Sequence, residues 1–136
     1  MTGETDLTQL LASMEPLLLS EEYVFCTLPD QASYTLDLEP VGWFREAEGI
    51  TLMLPRPQAD AASLPYDAVF AMITLTVHSS LEAVGLMAAI ATRLASHGIS
   101  VNPVSAFYHD HLFVPIMQAE AAMALLQALA QENADQ

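Results

Sequence analysis

The chain has 136 residues, 53% of them hydrophobic, which predicts one ordinary packed domain or two very small ones sharing a core. Three arginines and 17 acidic residues give a formal net charge of -14 at pH 7, which disfavours nucleic-acid and anionic-membrane partners. The chain has no lysine, which excludes Schiff-base and P-loop chemistry that depends on one. Because the single cysteine excludes an internal disulfide and no segment resembles a secretory signal or a membrane span, we expect a cytoplasmic protein.

The first half of the chain predicts short elements. Asp6 can cap a helix in which Gln9 completes a capping-box spacing, and Pro16 should end that helix. Composition and alternation then predict strands at 23–28, 34–38 and 50–54, a polar bend at 43–49, and a small-residue loop at 58–66 that is the best candidate for a domain boundary.

The second half predicts a β-α-β-β-α order. A strand at 68–77 leads into the capping-box spacing of Ser79 and Glu82, which predicts a helix over 80–97 that ends at a left-handed Gly98. Strands at 99–107 and 112–116 and a helix at 119–131 follow. This order predicts an α+β, ferredoxin-like fold, with helices on one face of a mixed, mostly antiparallel sheet.

Three segments resemble ACT domains, most closely those of aspartate kinases and cytosolic amino-acid sensors. They are His78-Ser-Ser-Leu-Glu-Ala-Val-Gly85, Leu94-Ala-Ser-His-Gly-Ile-Ser-Val-Asn102 and Tyr108-His-Asp-His-Leu-Phe-Val-Pro115. In the first half, Glu46-Ala-Glu-Gly-Ile-Thr-Leu52 resembles, more weakly, a group of small bacterial proteins built from a degenerate N-terminal ACT-like half and a better-formed C-terminal one. The resemblance implies a degenerate ACT-like half at 1–65 and an ACT-like ligand-binding module at 66–136. The last strand of the ACT pattern βαββα(β) is missing after Leu129, so either the strand at 23–28 takes its place or the exposed edge pairs with a second copy.

ACT modules have no chemistry of their own and bind amino acids at the junction between paired modules. The resemblance therefore implies a non-enzymatic regulatory protein that forms a homodimer, binds a small-molecule effector and needs no cofactor. The implied ligand-binding residues lie on the first strand–helix loop and the hairpin: Ser79, Ser80, Leu81, Glu82, Ala83, Gly85, Asn102, Tyr108, His109, Asp110 and His111.

Each feature of this site has a plainer alternative. The free N–H groups near Ser80 and Leu81 can bind a carboxylate, or the predicted helix is simply capped by Ser79. Gly85, expected inside that helix, allows close approach of a ligand or partner helix, or serves helix–sheet packing. Asp110 can face an effector's ammonium group or act as a turn aspartate that bonds its own backbone.

Three histidines allow a different function. His78, His109 and His111 could hold a divalent metal in a small metal-dependent enzyme, but no convincing fourth ligand or supporting shell accompanies them, so we predict no stoichiometric zinc. A third hypothesis is an oligomerisation module that binds no ligand.

Overall fold

The computed structural model describes residues 6–29 and 37–135, so the predicted strand at 34–38 falls largely outside the described residues. Two compact units are present: one combines the chain up to Ser20 with the chain from Ala71 onward, and the other is Glu21–Phe70. Within the described ranges, helices and antiparallel strand pairs together confirm the predicted α+β class. None of their helices has both the length and the apolar character needed to cross a membrane.

The described elements follow one another in this order: α1 (Leu7–Ser13), β1 (Pro16–Leu28), β2 (Gly42–Glu46), β3 (Gly49–Pro55), α2 (Arg56–Ala61), β4 (Phe70–Leu75), α3 (Leu86–Ala95), β5 (Asn102–Ser105), β6 (Asp110–Pro115), a 3₁₀ turn (Ile116–Gln118) and α4 (Ala119–Ala134). The capped first helix and the last helix confirm the sequence prediction, since Asp6 accepts a hydrogen bond from the Gln9 N–H at 3.0 Å.

In the first unit, neighbouring strands lie in the order β1, β4, β6, β5. Alternate residues of β4 and β6 are buried and share one core with the apolar residues of α1, α3 and α4. Helix α4 contacts both α1 and α3. The prediction that the helices pack on one face of the sheet is therefore confirmed, and the buried strand residues of this core are Ala71, Ile73, Leu75, Leu112 and Val114.

Strand β1 takes the place beside β4 that the missing last strand would occupy. The Glu15 carbonyl, just before β1, accepts hydrogen bonds from the Thr76 N–H at 3.3 Å and the Thr76 hydroxyl at 2.9 Å. The part of β1 that belongs to this unit ends at Ser20, whereas Tyr23–Leu28 pairs with β3. The sequence thus predicted the correct strand but the wrong part of it.

The second unit is built on the antiparallel order β2, β3, β1, and its core contains residues of β1, β3 and α2. Two predictions fail here. The expected polar bend at 43–49 is a β-hairpin, because Gly42–Glu46 pairs with β3 although most of its side chains are exposed. The expected loop at 58–66 overlaps α2, which has a proline in its first turn, where the fixed φ of proline suits a helix start.

Helix α3 begins at Leu86, so the predicted start at Ser80 is wrong. The Ser80 hydroxyl accepts from the Glu82 N–H at 3.1 Å and the Ser80 carbonyl accepts from the Ala83 N–H at 3.0 Å, which makes this segment a turn. Gly85 precedes the helix with φ +96°, a left-handed conformation, and is not in the helix interior as predicted. The left-handed conformation predicted for Gly98 is confirmed by its φ of +74°.

The replacement of Gly85 by alanine should destabilise the protein more than the same change at Gly98. Both positions impose a left-handed backbone, which costs an L-residue about 1–2 kcal/mol. A Cβ at Gly85 would also lie 3.2 Å from the Leu7 Cδ2 atom, whereas one at Gly98 meets no described heavy atom within 4 Å. We expect urea denaturation to give losses of about 1 kcal/mol for Gly98→Ala and about 2–3 kcal/mol for Gly85→Ala. Equal losses would show that the contact with Leu7 does not constrain the start of α3.

Candidate functional site

A small cavity of about 70 Å³ lies in the first unit, where the loop after β4, the start of α3 and the β5–β6 hairpin meet. The structure brings together part of the predicted site here, although the prediction placed the two halves of the site on paired modules. The lining residues are Ser79, Ser80, Leu81, Ala83, Leu86, Met87, Ser105 and Asp110.

A buried carboxylate dominates this cavity. The Asp110 side chain, 6% exposed, accepts a hydrogen bond from the Ser79 hydroxyl at 3.0 Å and from the Ser105 hydroxyl at 2.6 Å. The hairpin register places Ser105 directly opposite Asp110, which explains the second contact. The predicted capping role of Ser79 is wrong, because α3 begins at Leu86 and no side chain caps its start.

Asp110 keeps unused hydrogen-bonding capacity. An ionised carboxylate offers about four acceptor positions, and the two serine hydroxyls occupy two of them. Among the described residues, ion pairs are formed by Arg56 and Arg93, and none includes Asp110. A buried charge is normally compensated by an opposite charge or by several hydrogen bonds. This carboxylate is therefore suited to accept from a cationic group that enters the cavity.

The N-terminus of α3 lines the same cavity through Leu86 and Met87. No side chain caps this helix start, and the first-turn N–H groups of a helix together with its dipole attract carboxylates. The sequence placed this feature near Ser80 and Leu81, but the helix starts later and Ser80 binds the N–H groups of Glu82 and Ala83. The cavity thus combines an acidic side chain with the positive end of a helix.

Four exposed apolar residues are at, or close in sequence to, the positions that line the cavity. We call Leu81, Val84, Phe107 and Tyr108 the apolar rim. Their exposed fractions are 66%, 83%, 60% and 62%. Phe107 and Tyr108 form the turn between Ser105 and Asp110, and their ring centroids lie 5.0 Å apart.

The His78 ring extends this aromatic cluster. It precedes Ser79 and lies 6.3 Å from the Phe107 ring and 5.7 Å from the Tyr108 ring. The rings of His78, Phe107 and Tyr108 therefore form one aromatic cluster, carried by chain segments that also line the cavity.

Other predicted site residues lie elsewhere or have different contacts. Asn102 is exposed and pairs with Phe113. It lies three residues before Ser105 on β5, so the two residues are about 10 Å apart. Glu82 is exposed and does not line the cavity. Sequence reasoning missed Ser105, Leu86 and Met87; the register of the hairpin would have identified Ser105.

The histidines do not assemble a metal site. The His111 Nδ1 atom lies 3.0 Å from the Thr74 hydroxyl, the His109 Nδ1 atom lies 3.4 Å from the Val77 carbonyl oxygen, and the two imidazole centroids are 6.5 Å apart. Across residues 6–29 and 37–135, no group of three or more His, Cys, Asp or Glu side chains is arranged to hold a metal ion. The absence of zinc stays a prediction for purified protein.

A larger surface groove, about 290 Å³, lies where the end of α1, the start of β1 and α4 meet. Of the described residues that line it, Glu15 alone is ionisable. This groove lacks the buried charge that distinguishes the smaller cavity, so we take the Asp110 cavity as the candidate site.

Comparisons with known proteins agree with this fold. Residues 2–71 match one profile of the ACT domain and residues 69–128 match a second. The comparison with curated proteins gave no match. The resemblance predicted from sequence is thereby confirmed.

Solved structures add three similar chains. A Vibrio cholerae protein, described as a possible transport protein of unknown function, is 51% identical with a TM-score of 0.83, over 91% of this chain and 95% of that chain. An Agrobacterium tumefaciens protein is 16% identical, with a TM-score of 0.67 over 86% of this chain and 89% of that one. The ligand-free regulatory subunit of aspartate kinase from Thermus thermophilus is 12% identical, with a TM-score of 0.65 over 86% and 96%. The last two show a shared fold, and with it the predicted ferredoxin-like ACT architecture.

His111 should make the stability of the protein depend on pH. Burial and the neighbouring His109 lower the pKa of His111 from 6.5, with Asp110 opposing them. Below pH 6.5 the unfolded chain therefore binds more protons at this residue than the folded one, and stability falls as the pH decreases. We expect the melting temperature of His111→Gln to decline less than that of the wild type between about pH 7 and pH 5.

His97→Gln is the matched control, because it makes the same replacement at an exposed histidine. Parallel melting curves for wild type and His111→Gln over this range would contradict the assignment.

Proposed function

We propose that this chain, which belongs to the ACT domain family, is a non-enzymatic regulatory protein that binds an amino acid through its C-terminal module, residues 66–136. The observation that carries this proposal is the buried Asp110 carboxylate, which lines one cavity together with the start of α3. A zwitterionic amino acid has the matching pair of charges. Its ammonium group would bind Asp110 and its carboxylate would bind the N–H groups of Leu86 and Met87.

The hydrogen bonds around Asp110 favour binding over catalysis. A serine nucleophile needs a neighbouring base that takes its proton and is itself oriented by a third group. Ser79 and Ser105 both donate to the same carboxylate, so neither has the separate base that a serine nucleophile requires. This arrangement supports a regulatory role, as is typical of ACT domains.

Replacement of Asp110 by asparagine should abolish most of the binding. Asparagine is nearly the same size and still hydrogen-bonds serine hydroxyls, but it loses the charge that attracts an ammonium group. We first expect a thermal-shift screen of the protein amino acids to identify a ligand, because a ligand at a hundred times its Kd stabilises a fold by about 2.7 kcal/mol. Calorimetry with that ligand should then show binding weaker by about 1.5–3 kcal/mol in Asp110→Asn.

Asp67→Asn is the matched control, because it removes the same charge from an exposed position in the other unit and should leave the affinity unchanged. Urea denaturation of both variants separates loss of binding from loss of fold. Equal affinity in wild type and Asp110→Asn would remove Asp110 from the site. Failure of every amino acid to bind would end the proposal and favour an oligomerisation module without a ligand.

The same proposal includes a homodimer, and the second unit offers an edge for it. Strand β2 ends the order β2, β3, β1, and its residues from Trp43 to Glu46 are exposed. Natural sheets protect exposed edges with proline or charged side chains; β2 has no proline and carries its charges only at Arg45 and Glu46, whereas the edge strand β5 contains Pro103. Two β2 strands paired antiparallel about Phe44 would place Trp43 of one chain opposite Arg45 of the other.

We expect light scattering at micromolar concentration to show a two-fold dimer that Phe44→Lys converts to a monomer, because a lysine on an edge strand opposes pairing. Phe44 is 66% exposed, so the change should leave the fold intact. Val104→Lys, on the strand that Pro103 already protects, should leave the dimer unchanged. A monomeric wild-type protein would contradict the dimer, and a dimeric Phe44→Lys variant would exclude β2 as the interface.

A further inference from the structure

We infer that the effector is an amino acid with an aromatic or large apolar side chain, which packs outside the cavity on the apolar rim while the charged head group enters it. This inference rests on the proposed function, because it specifies the ligand of the Asp110 site. It follows from the volume of the cavity, the chemistry of its surroundings and the charge of the protein.

The cavity is too small for a complete effector of ordinary size. Its volume of about 70 Å³ is roughly twice the 30 Å³ that one water molecule occupies in the liquid, and sites that enclose small molecules usually span about 300–1,000 Å³. The available space suits an ammonium group and the atoms nearest to it. The side chain of the effector must therefore lie outside, against the residues that border the cavity.

Exposed apolar residues are among the lining residues or lie within two positions of them in the sequence. Leu81 lines the cavity and is 66% exposed, and Val84 follows three residues later with 83% of its surface in solvent. Phe107 and Tyr108 leave more than half of their surfaces exposed at the end of the hairpin that carries Ser105 and Asp110. Exposed apolar residues grouped in this way mark binding surfaces, and aromatic rings add stacking and edge-to-face contacts with an aromatic ligand.

Net charge separates this class of ligand from acidic amino acids. A chain with a formal charge of -14 repels a ligand that carries an additional carboxylate, and the exposed Glu82 lies next to Leu81. A neutral zwitterion avoids this repulsion, and its local ammonium charge still binds Asp110. The apolar rim then contributes affinity through buried apolar surface, which a small side chain such as that of alanine lacks.

A second copy of the chain is the rival occupant of the apolar rim. Such a contact would cover the rim, but Arg56 and Arg93 already hold ion pairs, so Arg45 is the one arginine of a second copy left to meet Asp110, whose carboxylate has hydroxyl donors and forms no ion pair among the described residues. A ligand that combines an ammonium group with an apolar side chain satisfies the carboxylate and the rim together. The charge of Asp110 therefore favours the small molecule.

The test compares L-phenylalanine, L-leucine, L-alanine, L-glutamate and L-lysine by calorimetry on the full-length wild-type protein. We expect L-phenylalanine or L-leucine to bind at least about tenfold more tightly than L-alanine or L-glutamate. They should also bind more tightly than L-lysine, because the negative charge of the protein attracts its side-chain ammonium group but contact with the apolar rim would remove that group from water. Phe107→Ala should weaken binding of the favoured apolar amino acid about tenfold while leaving the affinity for L-alanine unchanged. Phe107 is 60% exposed, so this variant should keep its fold. Met117→Ala is the matched control, because Met117 is 92% exposed and lies beyond the opposite end of β6, and it should bind like the wild type.

The possible failures are distinguishable. Tighter binding of L-alanine, L-glutamate or L-lysine than of either apolar amino acid would overturn this inference and leave the proposed function standing. Binding by no amino acid would overturn both. Unchanged binding in Phe107→Ala, together with a loss of the dimer in light scattering, would assign the rim to a second copy and overturn the inference.

Discussion

The hydrogen bonds from Ser79 and Ser105 to the buried Asp110 carboxylate determine how the C-terminal module is arranged. The bond from Ser79 fastens the loop after β4 to the β5–β6 hairpin across 31 residues of sequence, and the bond from Ser105 lies within the hairpin. The chain then continues through a turn before α3 begins. The left-handed Gly85 then redirects the backbone into the helix at Leu86. The cavity exists because this turn separates the strand from the helix.

Burial of a carboxylate in such an acidic protein has an electrostatic consequence. Two neutral hydroxyl donors reduce the cost of removing the charge from water, but they do not neutralise it. Among the described residues, ion pairs join Arg56 to Glu22 and Asp60 and join Arg93 to Glu132, and none includes Asp110. In a site that served only to tie two segments together, a neutral asparagine would form similar hydrogen bonds without this cost. The retained charge is the reason to interpret the cavity as a site for a cationic group.

Local signals explain which parts of the fold the sequence predicted. The Asp6 cap, the proline after α1, the apolar face of α4 and the left-handed Gly98 each depend on neighbours within a few residues, and all were predicted correctly. The Ser79–Glu82 capping-box pattern is equally local and failed, because α3 begins only at Leu86 and the Ser79 hydroxyl instead donates to the distant Asp110. Strand β2 was missed since its exposed side chains show no alternation of buried and exposed positions.

The candidate site was predicted only in part, because several of its residues are placed by contacts that a local sequence pattern does not show. The resemblance to ACT domains located the strand–helix loop and the hairpin, and hence Ser79, Ser80, Leu81, Ala83 and Asp110. Leu86 and Met87 depended on the true start of α3, and Ser105 depended on the register that pairs it with Asp110. Asn102 was included although the same register places it at the far end of the hairpin. Tertiary contacts decided each of these cases.

Fold and function therefore rest on different observations in this protein. The regulatory subunit of aspartate kinase shares the backbone arrangement at 12% identity, so that likeness identifies the architecture without any of the side chains that select a ligand. The Vibrio cholerae protein shares 51% of its residues but is described as having an unknown function. The chemistry of ligand recognition has to come from the buried carboxylate, the small cavity and the aromatic turn beside it. The hairpin register brings Ser105 and Asp110 together and places Phe107 and Tyr108 in the turn between them, and the loop after β4 and the start of α3 complete the cavity.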